Sequence, residues 1–120
     1  MTSSPTWPQI AAALATVIAV GTRAAAVDTA YQPNTTQDVL VCAPVKIATG
    51  ALGGKIEAMT DASNPPTTVV GTFSVDSASI TAGGQLTFLV KAGNYYKLKT
   101  TQTAGTPTFS VIGNVYEYTL

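Results

Sequence analysis

The sequence predicts a mainly β protein: a sandwich or jelly roll of about eight short strands, preceded by one N-terminal α-helix. Three observations predict it. From Arg23 to Leu120 the chain is rich in Thr, Val and Gly, and its apolar residues recur with a period of about two. Glycine, proline and asparagine punctuate those runs at regular intervals. Ahead of them lies a single stretch with helical character, Trp7 to Gly21, WPQIAAALATVIAVG, and it carries no charged residue. Two units result: residues 1–25 as helix and connector, and residues 26–120 as the β domain.

Thr6 is placed to cap the helix, and Pro8 sits in its first turn, where a missing N–H costs no hydrogen bond. Gly21 supplies the stop. Trp7, Ile10, Leu14 and Val17 are spaced 3, 4 and 3, as a and d positions of a heptad are. They are the candidate residues for assembly or attachment. Alanines fill the other faces, so the helix is apolar all round and needs burial on most sides. A small sandwich of its own offers little room for that. A membrane span fails on length, since Ile10 to Val20 reaches roughly 16 Å as a helix against ~30 Å of hydrocarbon. A secretory leader finds an apolar core of fitting length and small residues at Arg23-Ala24-Ala25-Ala26. Yet no Lys or Arg precedes the run, and Pro8 interrupts its approach. The segment is therefore expected to be retained and to pack against copies of itself or a larger assembly. A helix laid on its own sheet is the plainer alternative.

Ala26 to Tyr31 alternates loosely and reads as the first strand, with a turn at Gln32 to Thr36. Asn34-Thr35-Thr36 matches a glycosylation sequon and, without a secretory route, reads as a polar turn. Asp38 to Ala48 is the strongest strand. Val39, Val41, Ala43, Val45 and Ile47 share one face, and Leu40 and Cys42 add apolar groups to the other. A strand apolar on both faces is central or lies against a partner subunit. Pro44 is expected to mark a bulge or an edge within it. Thr49 to Gly54 turns the chain into Lys55 to Thr60, with Ile56 and Ala58 inward.

Asp61 to Pro66 is a rigid polar loop, and Asp61 and Asn64 fall short of the ~6–8 oxygens that calcium takes. Thr67 to Val75 is the next strand, with Val69, Phe73 and Val75 on the core face. Ala82-Gly83-Gly84 reads as a hairpin turn into Gln85 to Lys91, where Leu86, Phe88 and Val90 alternate. That glycine pair lacks the spacing, the helix and the lysine of a phosphate loop. Tyr95 to Thr100 follows, with Tyr95, Lys97 and Lys99 on one face, and Thr101 to Thr106 reads as a polar loop. A Gly113-Asn114 turn separates Phe109 to Ile112 from the closing strand, Val115 to Leu120.

Six Lys plus Arg and six Asp plus Glu give a net charge of zero, which leaves no basic patch for nucleic acid or an anionic membrane. Only 10% of the residues are charged, against ~25% in an ordinary soluble domain. Such a surface suits a protein that lives assembled. Histidine is absent, which removes the commonest general base and metal ligand. Cys42 is the sole cysteine, so no internal disulfide forms and the thiol reads as a small buried hydrophobe. No metal or cofactor is implied, and the composition suits folding in a reducing cytoplasm.

Thr29-Ala30-Tyr31-Gln32-Pro33-Asn34-Thr35-Thr36, followed by a long apolar strand, resembles the opening of a small β domain of phage virion proteins. Thr81 to Val90 followed by Ala92-Gly93-Asn94-Tyr95-Tyr96-Lys97 resembles its middle, and Val115-Tyr116-Glu117-Tyr118 its terminal strand. The resemblance spans Val27 to Leu120 and rests on turn-and-strand patterns. It implies a jelly-roll-like β sandwich, usually trimeric, that decorates heads or tips tail fibres, with no catalytic residue to carry over. Fibres bearing such a tip have a long shaft or tail-attachment region before it, whereas residues 1–25 alone precede the domain here. The expectation thus shifts to capsid decoration or a short head fibre, with the helix as plug.

The function expected is that of a homotrimeric structural virion protein, made and folded in the host cytoplasm. Its partners are itself and the major capsid protein or another virion protein, with no cofactor, nucleic acid or membrane. The alternative is a receptor- or glycan-binding tip in which Tyr95, Tyr96, Lys97 and Lys99 meet the ligand. An enzyme is not expected. Asp28, Asp38, Glu57, Asp61, Asp76 and Glu117 are scattered, and nothing in their spacing pairs them as catalytic carboxylates.

Overall fold

The computed structural model describes residues 19–48, 53–76 and 81–120. Eight strands run through them: β1 (Ala19–Arg23), β2 (Val39–Ala48), β3 (Gly53–Asp61), β4 (Val69–Val75), β5 (Thr81–Val90), β6 (Tyr95–Ala104), β7 (Thr108–Val111) and β8 (Val115–Thr119). They form two antiparallel sheets. The larger has five strands in the order β1-β8-β2-β5 with β7 also on β2, and the smaller has the order β4-β3-β6. One apolar cluster fills the space between them, an arrangement compatible with a β sandwich.

The helix predicted over Trp7–Gly21 lies outside the described residues as far as residue 18, as do Trp7, Ile10, Leu14 and Val17. Its predicted end is corrected, because Ala19 to Arg23 is a strand paired with β8 from Ala19–Thr119 to Arg23–Val115. Val20 and Thr22 are β-branched and suit that conformation. The domain boundary predicted at residue 26 therefore moves back to Ala19. Ala26 to Tyr31, by contrast, is a loop. Asp28 adopts the left-handed conformation at φ 59°, which Asp tolerates and which ends strand pairing. Its N–H donates to the Leu98 carbonyl and its carboxylate accepts from the Thr100 N–H and hydroxyl, so the loop lies along β6.

β2 is the central strand. Val39, Val41, Ala43, Val45 and Ile47 are all buried, as their alternation predicts. Pro44 marks neither a bulge nor an edge, since the register with β5 runs unbroken from Val39–Val90 to Ala48–Thr81. On its other side β2 pairs first with β8, through Val39 to Cys42, and then with β7, through Val45 to Ala48. The Pro44 carbonyl accepts the Ile112 N–H at this handover. A residue's N and C=O point to the same edge of a strand, so the missing proline donor faces the gap between two partners and leaves no acceptor unserved.

Three further expectations are corrected. Val69 is exposed rather than in the core, because the β3–β4 register passes from Ala58–Gly71 to Met59–Val69 and skips Val70. That extra residue reverses the inside–outside parity of everything before it. Gly83 and Gly84 lie within β5 rather than in a turn, and β6 continues to Ala104 through the residues read as a loop.

The glycines have a packing reason. A Cβ at Gly84 would sit 2.7 Å from the Phe73 ring of β4, and one at Gly54 would sit 2.5 Å from the Phe109 ring of β7. Each sheet thus offers one phenylalanine to a bare stretch of backbone on the other, and the layers interlock where a side chain would hold them apart.

Candidate functional site

Among the described residues the interior carries one polar cluster, where β1 and β8 meet β6. Glu117 pairs with Gly21 and Val41, which places it on the core side of β8. A carboxylate there needs partners, and it has three contacts. Arg23 Nε donates at 2.7 Å and Arg23 Nη2 at 3.3 Å, one to each oxygen, and the Tyr96 hydroxyl donates at 2.6 Å. The Arg23 guanidinium also lies 4.7 Å from the centre of the Tyr31 ring. The Tyr31 and Tyr96 rings are 5.7 Å apart, and their backbones exchange two hydrogen bonds.

Burial, with the Glu117 hydrogen bond behind it, pushes the Tyr96 hydroxyl well above the ordinary phenol range. The Glu117 hydrogen bond and charge raise Arg23 further. This cluster is a clasp. It fastens the edge strand β1 to both sheets and offers no open acid or base. From the sequence alone, Arg23 reads as a connector charge and Glu117 as one scattered acid. The available signal was parity, because a charge in step with Val115 on a strand must be paired inside.

The outer faces of the sheets are the remaining candidate surface. On the smaller sheet the residues opposite one another are Lys97 and Met59, Lys99 and Glu57, and Tyr95 and Asp61. Lys55 lies 3.5 Å from Glu57. The structure does bring Tyr95, Lys97 and Lys99 to one outer face, with Lys99 exposed and the other two half-buried. Tyr96, named with them as a ligand contact, is corrected: it is 0% exposed and belongs to the clasp. Among the described residues no pocket opens beside this face.

The outer face of the larger sheet differs. One cross-strand row runs Val20, Tyr118, Leu40, Leu89 through β1, β8, β2 and β5. The next runs Thr22, Tyr116, Cys42, Thr87. Val20 is 61% and Leu89 43% exposed. Among the described residues Lys46 is the only charged residue within the strands of this face, and it stands at the far end, opposite Gly83 and Ser110; exposed Asp38 and Lys91 lie just beyond the near ends of β2 and β5. Cys42 is half-buried here rather than enclosed in the core.

The loops are self-satisfied. Asp61 accepts from the Ser63, Thr67 and Thr68 N–H groups and from the Thr67 and Thr68 hydroxyls, which hold its carboxyl well below the usual range. Those bonds occupy the oxygens that a cation would use. Asn34 Oδ1 accepts from the Thr36 and Gln37 N–H groups in the turn expected of it. No protein-family model, curated protein or solved structure matches the chain.

Proposed function

We propose that this protein is a non-catalytic structural component of a phage virion, a capsid decoration protein or short head fibre, built as a homotrimer of jelly-roll-like β sandwiches. Attachment runs through the N-terminal segment bearing Trp7, Ile10, Leu14 and Val17, to copies of itself and to the major capsid protein or another virion protein. The chain folds in the host cytoplasm and resides in the particle. No cofactor, nucleic acid or membrane is part of this reading.

The observation that carries it is the join between segment and sheet. No charged side chain precedes Arg23, and Arg23 is the residue clasped to Glu117. An uncharged apolar segment therefore issues straight from a strand fastened across both layers, as an anchor requires. The low overall charge and the turn-and-strand resemblance support the same reading.

Quantitative mass spectrometry of purified particles tests it. Hundreds of copies per particle are expected, and occupancy should collapse for Ile10→Asp with Leu14→Asp, which leave β1 intact. A handful of copies would instead favour the receptor- or glycan-binding tip. Tyr95, Lys97 and Lys99 do share a face for that role, but Lys99 already has Glu57 opposite. Silence of the recombinant protein on a glycan array counts against it.

A further inference from the structure

We propose that the sparsely charged outer face of the larger sheet is the seat of the N-terminal apolar segment, residues 7–18, of a neighbouring copy of this chain. The inference rests on the reading that copies associate through that segment, and it names what the segment lies on.

Three observations carry it. The first is where the chain outside the described residues ends. It joins the sheet at Ala19, directly before Val20, and Val20 begins the apolar row Val20–Tyr118–Leu40–Leu89. The segment therefore emerges at the end of the sheet where its proposed seat lies. The second is charge. The segment has none, and the strands of this face carry Lys46 alone, at the opposite end, with Asp38 and Lys91 just beyond the ends of β2 and β5. The outer face of the smaller sheet, with Lys55, Glu57, Asp61, Lys97 and Lys99, would desolvate five charges under the same segment.

The third observation decides between a chain's own segment and a neighbour's. Ala15-Thr16-Val17-Ile18-Ala19 contains no Gly, Pro, Asn or Asp. Reversal onto its own sheet needs turn chemistry that is missing there. A chain that runs on past its own sheet edge can instead reach the face of the next copy.

Area explains why the segment is needed. Four strands at ~4.8 Å spacing and β2 at ~3.3 Å per residue give a face of roughly 450 Å². A stable interface wants ~800 Å² per partner, so face against face falls short. A segment given and a segment received by every copy add to that area in a closed ring, which is a heterologous contact.

Cys42, the chain's only cysteine and half-buried in the middle of this face, provides the test. Ile10→Cys, Leu14→Cys and Val17→Cys would be made singly in the full chain and oxidised mildly. Sedimentation would be run in parallel on the unmodified protein. The expected result is a disulfide-linked ladder for at least one variant, from twice the chain mass up to the whole ring, absent when Cys42→Ser is added. Leu89→Lys with Val20→Lys, both at exposed positions, should weaken association at least tenfold.

An oligomer in which no variant cross-links overturns the seat while sparing the reading beneath it. A cross-link confined to the single-chain band overturns the exchange and places the segment on its own sheet. A protein that sediments as a monomer at all concentrations overturns both.

Discussion

The two sheets present matched faces to each other and unlike faces to the outside. Inward, each contributes alternating aliphatic residues and a phenylalanine that packs on a bare glycine of the other, and the layers interlock. Outward, among the described residues, the smaller sheet carries Lys55, Glu57, Asp61, Lys97 and Lys99, whereas the strands of the larger carry Lys46 alone beside an apolar row, with Asp38 and Lys91 past its end. Charge is thus spent on one side of a molecule that has little of it. A face with solvated charges is suited to water, and a face without them is suited to a partner.

Interior substitutions should cost stability in both sheets alike and leave association untouched below the melting range. Of the two glycines that receive a phenylalanine, Gly54→Ala is the larger case, because its Cβ would fall 2.5 Å from Phe109 and 2.9 Å from the Thr101 carbonyl. A loss of about 3 kcal/mol in urea denaturation is expected, at the upper end for overpacking. Glu117→Ala should cost ~1–3 kcal/mol, since it strips the buried Tyr96 hydroxyl of its acceptor. Adding Tyr96→Phe should recover part of that loss, because the buried hydroxyl is then no longer orphaned. Recovery of nothing would mean that the clasp acts through Arg23 instead.

Outer-face substitutions sharpen the contrast. Leu89→Lys with Val20→Lys should weaken self-association at least tenfold, about 1.4 kcal/mol, with monomer stability changed by only ~0.5 kcal/mol. Lys97→Ser with Lys99→Ser on the other sheet should move neither quantity beyond ~0.5 kcal/mol, as expected of charges that keep access to water. Equal effects from both pairs, read by sedimentation, would erase the distinction between the faces.

The smallest effect concerns acid. Hydrogen bonds from Thr67, Ser63 and Thr68 hold Asp61 below its ordinary value. Its contribution is therefore present above ~4, the unfolded value, and is lost as pH falls below that. Urea midpoints between pH 2 and 5 should fall less steeply in Asp61→Asn than in the parent.

Strand cores were legible where the period was clean. Val39 to Ile47 and Leu86 to Val90 alternate without interruption, and burial follows them residue by residue. Legibility failed where one residue changed the count. The bulge at Val70 turned Val69 outward, and the left-handed Asp28 made a loop of what alternates like a strand. The glycines at 83 and 84 look like punctuation in one dimension. Only the opposing Phe73 ring shows Gly84 to be a packing site.

The sequence by itself determined a β-rich chain, its central strand and the near absence of charge, because local periodicity and composition need no partner to be read. It also marked Trp7, Ile10, Leu14 and Val17 as apolar and the Tyr95, Lys97 and Lys99 face as polar. Tertiary structure alone decided that Ala19 to Arg23 is a strand and that Arg23, Glu117 and Tyr96 meet. It alone assembled Val20, Tyr118, Leu40 and Leu89 into one row. Those residues come from strands far apart in the chain, and cross-strand neighbours are set by sheet order and register, which no local pattern encodes.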